Sequence, residues 1–216
     1  VKSIQPNCLV SGRIGNELGE YMSTGDNWIP ILPYPGDWEV PATLNDTWGY
    51  KYFDDNWKSP EKIIKLLVKI NSRGGNYLLN VGPDAKGVIP KPSADILRQV
   101  GKWMAANGDS IYATRYVPVY PYDTEGFIFT HKPGKLFMHV FEWKNMLNVP
   151  CIANKITRAY ILSSGEEIEV NQTYVPASKQ HRTAFTLPEQ QPDAIDSVIC
   201  LEIEEPEVMF DTLDTL

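Results

Sequence analysis

The chain has 216 residues and a formal net charge of -7, and 43% of its residues are hydrophobic, which is typical of a globular protein with a buried core. The excess of carboxylates argues against nucleic acid as a partner, because a phosphate backbone repels an acidic surface. The sequence has no apolar run of about 18 residues, so it predicts no membrane partner. Cys8, Cys151 and Cys200 lie far apart without a C-x-x-C pair, which predicts buried thiols and neither a disulfide nor a metal site.

The first half of the chain alternates strand and helix patterns. CLVSGR at 8–13 predicts an apolar strand. Residues 59–73 begin with Ser at a capping position and Pro in the first turn, and apolar residues follow at helical spacing, so we expect an amphipathic helix. GGNYLLNVGP at 74–83 predicts a second strand, and 91–108 predicts a second helix that ends at Asn-Gly. This alternation favours a parallel sheet with right-handed crossovers.

After residue 108 the pattern changes to short β-rich segments without a helical period. The predicted strands are 126–132, 135–143, 158–165, 166–171, 183–189 and 196–204. A complete (β/α)8 barrel takes about 250 residues, so the preceding residues supply only about three strand-helix units. The predicted fold class is therefore α/β plus all-β, with a partial (truncated) TIM-type (β/α) barrel at 1–108 and an antiparallel β-sandwich at 109–216.

Four segments of the first half carry more specific motifs. RIGNELGEYMSTGDNWIP, WEVPATLNDTWGY, SRGGNYLLNVGPDAKGVIP and VGKWMAANGDSIYAT, in this order and spacing, resemble the C-terminal half of the catalytic barrel of family 29 glycoside hydrolases, the α-L-fucosidases. The resemblance continues loosely through the β segments. It implies a retaining hydrolase that removes terminal α-L-fucose from an oligosaccharide or glycoconjugate, with no metal and no organic cofactor.

Two carboxyl groups are candidates for the acid/base of such a reaction. The resemblance favours Glu39 of the Trp-Glu pair, with Asp26 of Gly-Asp-Asn second, because family members differ in which position carries the acid. We expect the flanking Trp38 and Trp28 to exclude water, which favours a protonated carboxyl group. By residue type alone, Asp26 is typical of a turn, and most carboxylates such as Glu39 are solvated or structurally paired.

The resemblance also implies two sugar contacts. Arg13 matches an arginine that contacts the sugar or the nucleophile region, and Trp48 matches an aromatic residue that packs on the apolar face and methyl group of fucose. Core packing is the alternative for Trp48. The family nucleophile is an aspartate upstream of the segment that resembles CLVSGRIG, so the nucleophile is unassigned. Asp46, Asp54 and Asp55 lie in a polar loop and are expected to form a solvated surface.

Three functional hypotheses are compatible with these residues. The first is a truncated α-L-fucosidase that acts only when chains associate, because an open barrel exposes sheet edges and apolar surface; we therefore expect a homo-oligomer. The second is a noncatalytic carbohydrate-binding or scaffold fragment that keeps Arg13 and Trp48. The third is one piece of a longer enzyme. His131, His139 and His181 lack ligand spacing and are expected to be structural.

Overall fold

The computed structural model describes residues 1–15, 18–117 and 126–211, which form one parallel sheet, two α-helices and two antiparallel sheets. The elements of the first half are β1 (Met22–Ser23), β2 (Trp38–Thr43), α1 (Pro60–Asn71), β3 (Asn76–Asn80) and α2 (Lys91–Asn107). The sheet has the order β1-β2-β3 with parallel pairing throughout. Both predicted helices and the strand predicted from GGNYLLNVGP are confirmed.

The strand predicted at 8–13 is wrong. Gly12–Ile14 form a short 3-10 helix, and Ser11 makes only an isolated parallel bridge with Tyr21. The Ser11 hydroxyl accepts a hydrogen bond from the Arg13 amide, a local contact that competes with extended backbone. Arg13 therefore lies in a turn beside β1.

Helix α1 begins as its sequence indicates. The Ser59 hydroxyl accepts a hydrogen bond from the Lys62 amide at 3.1 Å, and Pro60 occupies the first turn, where its missing N–H has no cost. Ile64 and Val68 are buried on one side of the helix, towards the antiparallel sheet. Ile70 contacts the parallel sheet instead, so α1 is covered on two sides.

The two faces of the parallel sheet have different environments. Trp38 and Val40 of β2 are buried and pack with Ile70 of α1. Because successive strand residues point to opposite faces, Glu39 lies on the other face, where Leu78 of β3 is 52% exposed. Both helices pack on the Trp38 face, and the Glu39 face is the more exposed one.

Two antiparallel sheets follow. One has the strand order β4-β5-β10-β7 and the other β6-β9-β8. Their bounds are β4 Phe127–Lys132, β5 Lys135–Val140, β6 Met146–Pro150, β7 Ile156–Ile161, β8 Glu169–Val175, β9 Gln180–Thr186 and β10 Ser197–Ile203. The sheets share one buried core, with Met138 and Ile199 on the first and Phe185 on the second, as in a β-sandwich. Strand β6 has no counterpart in the sequence prediction, since its polar Asn148 and terminal Pro150 weaken the strand pattern.

The helices lie between the parallel sheet and the four-stranded antiparallel sheet. Trp103 of α2 packs in one cluster with Ile64 of α1 and with Phe137 and Cys200 of the antiparallel sheet. This cluster contains residues from before and after residue 108. The predicted division of the chain into two domains at residue 108 therefore stays a prediction. No helix in the described part of the chain is long and apolar enough to cross a membrane.

A fully buried polar pair lies beside this helix layer. His139 Nδ1 is 2.7 Å from Asp196 Oδ2, and neither side chain is accessible to solvent. The single hydroxyl proton of Thr130 is donated to Ser110 O at 2.6 Å, so His139 Nε2 must donate to Thr130 Oγ1 at 3.2 Å. One proton is therefore shared between Nδ1 and Asp196, which makes His139 a structural residue as predicted.

The other histidines and cysteines also have structural environments. His181 contacts Asp211 at 3.0 Å through Nδ1. His131 is buried, and the loss of solvation lowers the pKa of its imidazole. Cys151 and Cys200 are buried as predicted, and burial raises the pKa of both thiols. Cys8 is only partly buried, so the prediction of a buried thiol is wrong for this residue.

We predict that Asp196→Ala lowers the free energy of unfolding by about 3–5 kcal/mol, because it leaves His139 buried without its partner. The matched control is Glu167→Gln, which weakens the exposed ion pair with Arg158 and should leave the free energy of unfolding nearly unchanged. Urea unfolding of the three proteins at neutral pH measures both values. Equal losses in the two variants would contradict this assignment.

A second prediction concerns the turn between α1 and β3. A methyl group at Gly75 would overlap the buried indole of Trp38, whereas a methyl group at Gly101 of α2 meets no atom within 4 Å. Gly75→Ala should therefore destabilise the protein by about 1–3 kcal/mol. Gly101→Ala should stabilise it by about 0.5–1 kcal/mol, since alanine favours the helix interior. Thermal unfolding that shifts in the same direction for both variants would refute this packing argument.

Candidate active site

The structure brings together Arg13 and Asp26. Arg13 Nη2 donates to Asp26 Oδ1 at 2.5 Å and to the Thr24 carbonyl at 3.2 Å, and Arg13 Nε donates to Ser23 Oγ at 3.0 Å. Both charged side chains are about half exposed, so the pair contributes little to stability and mainly fixes an orientation. Within the described residues, Nη1 has no hydrogen-bond partner and can donate to a ligand.

Asp26 lies towards the carboxyl-terminal end of β2. The amide of the next residue, Asn27, donates to Pro41 O at 2.8 Å, and Asn27 Oδ1 accepts from the Thr43 amide at 3.2 Å. The segment after β1 thus continues along β2 as far as its last residue. In parallel α/β folds this strand end is where catalytic side chains and ligands meet.

Glu39 lies at the opposite end of the same strand. It is the second residue of β2, aligned with Ser23 of β1 and with Asn76, the first residue of β3. At the usual rise per residue, its backbone is roughly 13 Å from Thr43 along the strand. Glu39 is thus aligned with Ser23, which binds Arg13, but within the described residues its side chain makes no hydrogen bond or ion pair with Arg13, Asp26 or Trp48.

The tryptophans expected to shield these carboxyl groups have separate positions. Trp38 is buried on the helix-facing side of the sheet, away from Glu39, because neighbouring residues of a strand point to opposite faces. The expectation that Trp38 shields Glu39 is therefore wrong. Trp28 is half exposed, and its carbonyl accepts a hydrogen bond from the Thr24 hydroxyl at 3.0 Å.

Trp48 lies in the loop that follows β2, and 39% of its surface is exposed, so it is not a core residue. Its carbonyl accepts a hydrogen bond from Asn80 Nδ2 at 2.7 Å, which links the loop to the end of β3. A small, partly open cleft lies beside this loop and includes Tyr50, Trp57 and Ser93 in its wall. The loop therefore forms an aromatic rim at the same strand end as Asp26.

The loop carboxylates hold the loop together. Asp54 Oδ2 accepts a hydrogen bond from the Thr47 hydroxyl at 2.6 Å, and this bond lowers the pKa of the Asp54 carboxyl group. Asp46 accepts two hydrogen bonds from Asn56. Of the three acids predicted to form a solvated surface, Asp46 and Asp55 are exposed and Asp54 is partly buried. Ser23, Asp54 and Asn80 hold the candidate residues or their loop in place through hydrogen bonds. No motif in the sequence identified these three residues as part of a site.

Known proteins with similar sequences are α-L-fucosidases. Residues 1–109, half of the chain, match the family model described as "Alpha-L-fucosidase". An alpha-L-fucosidase of Dictyostelium discoideum is 34% identical over 119 residues, which cover 52% of this chain and 26% of that protein. The tissue alpha-L-fucosidase of Rattus norvegicus is 30% identical over 203 residues, covering 88% of this chain and 42% of the rat protein. The chain thus spans less than half the length of these relatives.

Solved structures extend the similarity through the β segments. Alpha-L-fucosidase isoenzyme 1 from Paenibacillus thiaminolyticus superposes with a TM-score of 0.85 at 31% identity, covering 94% of this chain and 52% of that one. The alpha-L-fucosidase from Vibrio sp. strain EJY3 superposes with a TM-score of 0.86 at 27% identity, covering 97% of this chain and 38% of that one. The matching family model and the shared fold show that the chain belongs to the α-L-fucosidase family of glycoside hydrolases.

Proposed function

We propose that the chain supplies part of the active site of a retaining α-L-fucosidase, which removes terminal α-L-fucose from oligosaccharides or glycoconjugates without a metal or organic cofactor. The contact of Arg13 with Asp26 carries this proposal, because it joins two of the candidate residues at one strand end in a chain that matches the fucosidase family. The two remaining N–H bonds of Arg13 Nη1 suit the hydroxyl groups of a sugar.

The geometry favours Asp26 over Glu39 as the acid/base. In retaining hydrolysis one carboxyl group protonates the leaving oxygen and later removes a proton from water, while a second carboxylate about 5 to 5.5 Å away attacks the anomeric carbon. Asp26 contacts Arg13 directly, whereas the Glu39 side chain makes no hydrogen bond or ion pair with Arg13 among the described residues, although it is aligned with Ser23. Within the described residues, Asp26 Oδ2 has no hydrogen-bond partner, so it is the oxygen that would carry and transfer the proton while Arg13 keeps its bond to Oδ1.

Trp48 would contact the sugar itself. Its indole is partly exposed at the rim, and fucose has an apolar face with a methyl group that suits an aromatic ring. Burial of that face against the indole is favourable because it removes apolar surface from water. We therefore assign Trp48 to fucose binding within this proposal.

The parallel sheet supports a partial TIM-type barrel. Three parallel strands with helices on one face only correspond to an arc of a barrel, whose Glu39 face would be the interior. Leu78 on that face is exposed, and most other exposed large apolar side chains also precede residue 117. Such a surface favours association with another chain, and the unassigned nucleophile would come from that association.

We expect the purified chain to hydrolyse an aryl α-L-fucoside only in associated form, and Asp26→Asn to reduce kcat/KM by about 10²–10⁴-fold, the usual contribution of general acid–base catalysis. Glu39→Gln is the matched carboxyl variant and should lose less than about tenfold. Initial rates measured over a range of protein concentrations show whether activity depends on association, and the same rates give kcat/KM for each variant.

A larger loss in Glu39→Gln would assign the acid/base to Glu39 instead. Complete inactivity of the folded, associated chain would overturn the enzymatic proposal and favour a noncatalytic carbohydrate-binding or scaffold fragment. Circular dichroism of each variant separates loss of folding from loss of chemistry.

Association through the Glu39 face can be tested with Leu78→Lys. A charge on this face should lower the mass measured by light scattering towards that of a single chain, because apolar contact between sheets excludes charges. Met146→Lys is the matched control, since Met146 is similarly exposed but lies on β6. If both variants keep the wild-type mass, association does not use this face.

A further inference from the structure

The end of β3 makes two contacts with the loop that carries Trp48. The first is the hydrogen bond from Asn80 Nδ2 to the Trp48 carbonyl at 2.7 Å. A carbonyl oxygen can only accept, so the atom that faces it must be the NH₂ group of the carboxamide. The side chain of Asn80 therefore donates in a fixed orientation to the backbone of Trp48.

The second contact is steric and involves Gly82. A Cβ atom at this position would lie 3.0 Å from Trp48 O and 3.0 Å from the Tyr50 amide nitrogen. Both are backbone atoms, which cannot move aside as a flexible side chain could. A side chain at this position would therefore push the loop backbone away from the strand end, and glycine lets the loop lie directly on it.

The same loop is otherwise strongly exposed. Tyr52 is 86% exposed, and Phe53, its edge-on ring neighbour, is 66% exposed. Thr47 and Asp54 join the two sides of the loop to each other, but both residues belong to the loop. Lys58 holds the start of the loop through the Asn45 carbonyl. Among the described residues, Asn80 and Gly82 are the ones at the end of β3 that contact the backbone at Trp48.

We propose that Asn80 and Gly82 are positioning residues that hold Trp48 in place for fucose. The inference rests on the proposed role of Trp48 in binding the sugar, and it assigns a function to the Asn-Val-Gly-Pro segment beyond its place in the fold. Neither residue needs to touch fucose. Asn80 supplies the donor that orients the Trp48 carbonyl, and Gly82 supplies the space that the loop occupies.

The test uses the complete chain labelled with 5-fluorotryptophan, whose six tryptophans give separate ¹⁹F signals. The Trp48 signal is identified by its loss in Trp48→Phe. Asn80→Asp keeps the shape of the side chain and removes the NH₂ donor, whereas Gly82→Ala adds the methyl group that the loop excludes. Asn171→Ala, an exposed asparagine of β8, is the matched control.

We expect Asn80→Asp and Gly82→Ala each to shift or broaden the Trp48 signal while the other five signals stay in place. L-fucose titrated into the wild-type chain should move the Trp48 signal, and the Kd should rise about three- to tenfold in both variants, as expected for the loss of one hydrogen bond. Asn171→Ala should change neither quantity.

An unchanged Trp48 signal and an unchanged Kd in both folded variants would overturn the inference. If fucose does not move the Trp48 signal in the wild-type chain, the proposed sugar contact fails, while the effect of the variants on that signal still decides whether Asn80 and Gly82 position the loop. A change in all six signals of one variant indicates general unfolding, and the other variant then decides.

Discussion

Helices α1 and α2 are buried between two sheets, and the position of the candidate active site depends on this double burial. Ile70 of α1 packs with Trp38 beneath the parallel sheet, while Ile64 and Trp103 pack on the outer face of the four-stranded antiparallel sheet. A three-stranded parallel sheet with two helices has little core of its own, since parallel sheets are normally covered on both faces. The antiparallel sheets therefore support the part of the chain that carries the candidate residues.

A buried hydrogen-bond network strengthens the same interface. Trp103 Nε1 donates to the Asp196 carbonyl at 2.9 Å, and the Asp196 carboxyl group holds His139. These groups have no access to water, so each depends on its partner for a hydrogen bond. The network fixes the orientation of α2 on the sheet, and the connection 81–90 joins α2 to the end of β3, where Asn80 contacts the Trp48 loop. Packing in the β segments is thus connected to the aromatic rim through one helix.

The candidate active site itself is held mostly by exposed polar contacts. Arg13 is oriented by hydrogen bonds with Ser23, Thr24 and Asp26. Because these groups are half exposed, their contacts contribute little to stability and mainly fix the orientation of the guanidinium group. These contacts leave Nη1 of Arg13, which has no hydrogen-bond partner within the described residues, open to a ligand. A retaining reaction also needs a second carboxylate close to the first. The exposed Leu78 face, as the proposed inner surface of a barrel, is where that group would approach.

The local sequence determined both helices, strand β3 and the family of the chain. Helix caps, apolar spacing and the order of motifs are properties of neighbouring residues, so they can be recognised without the fold. The local sequence predicted a strand at 8–13, where the structure has a short 3-10 helix that begins after Ser11. It also did not predict β6, whose strand pattern is weak. Only the tertiary structure decided which carboxyl group contacts Arg13. The Trp-Glu motif made Glu39 prominent, but it is Asp26 that forms the ion pair with Arg13, while Glu39 is aligned with Ser23 of β1. The pairing of strands sets those positions, and no short sequence motif contains that information.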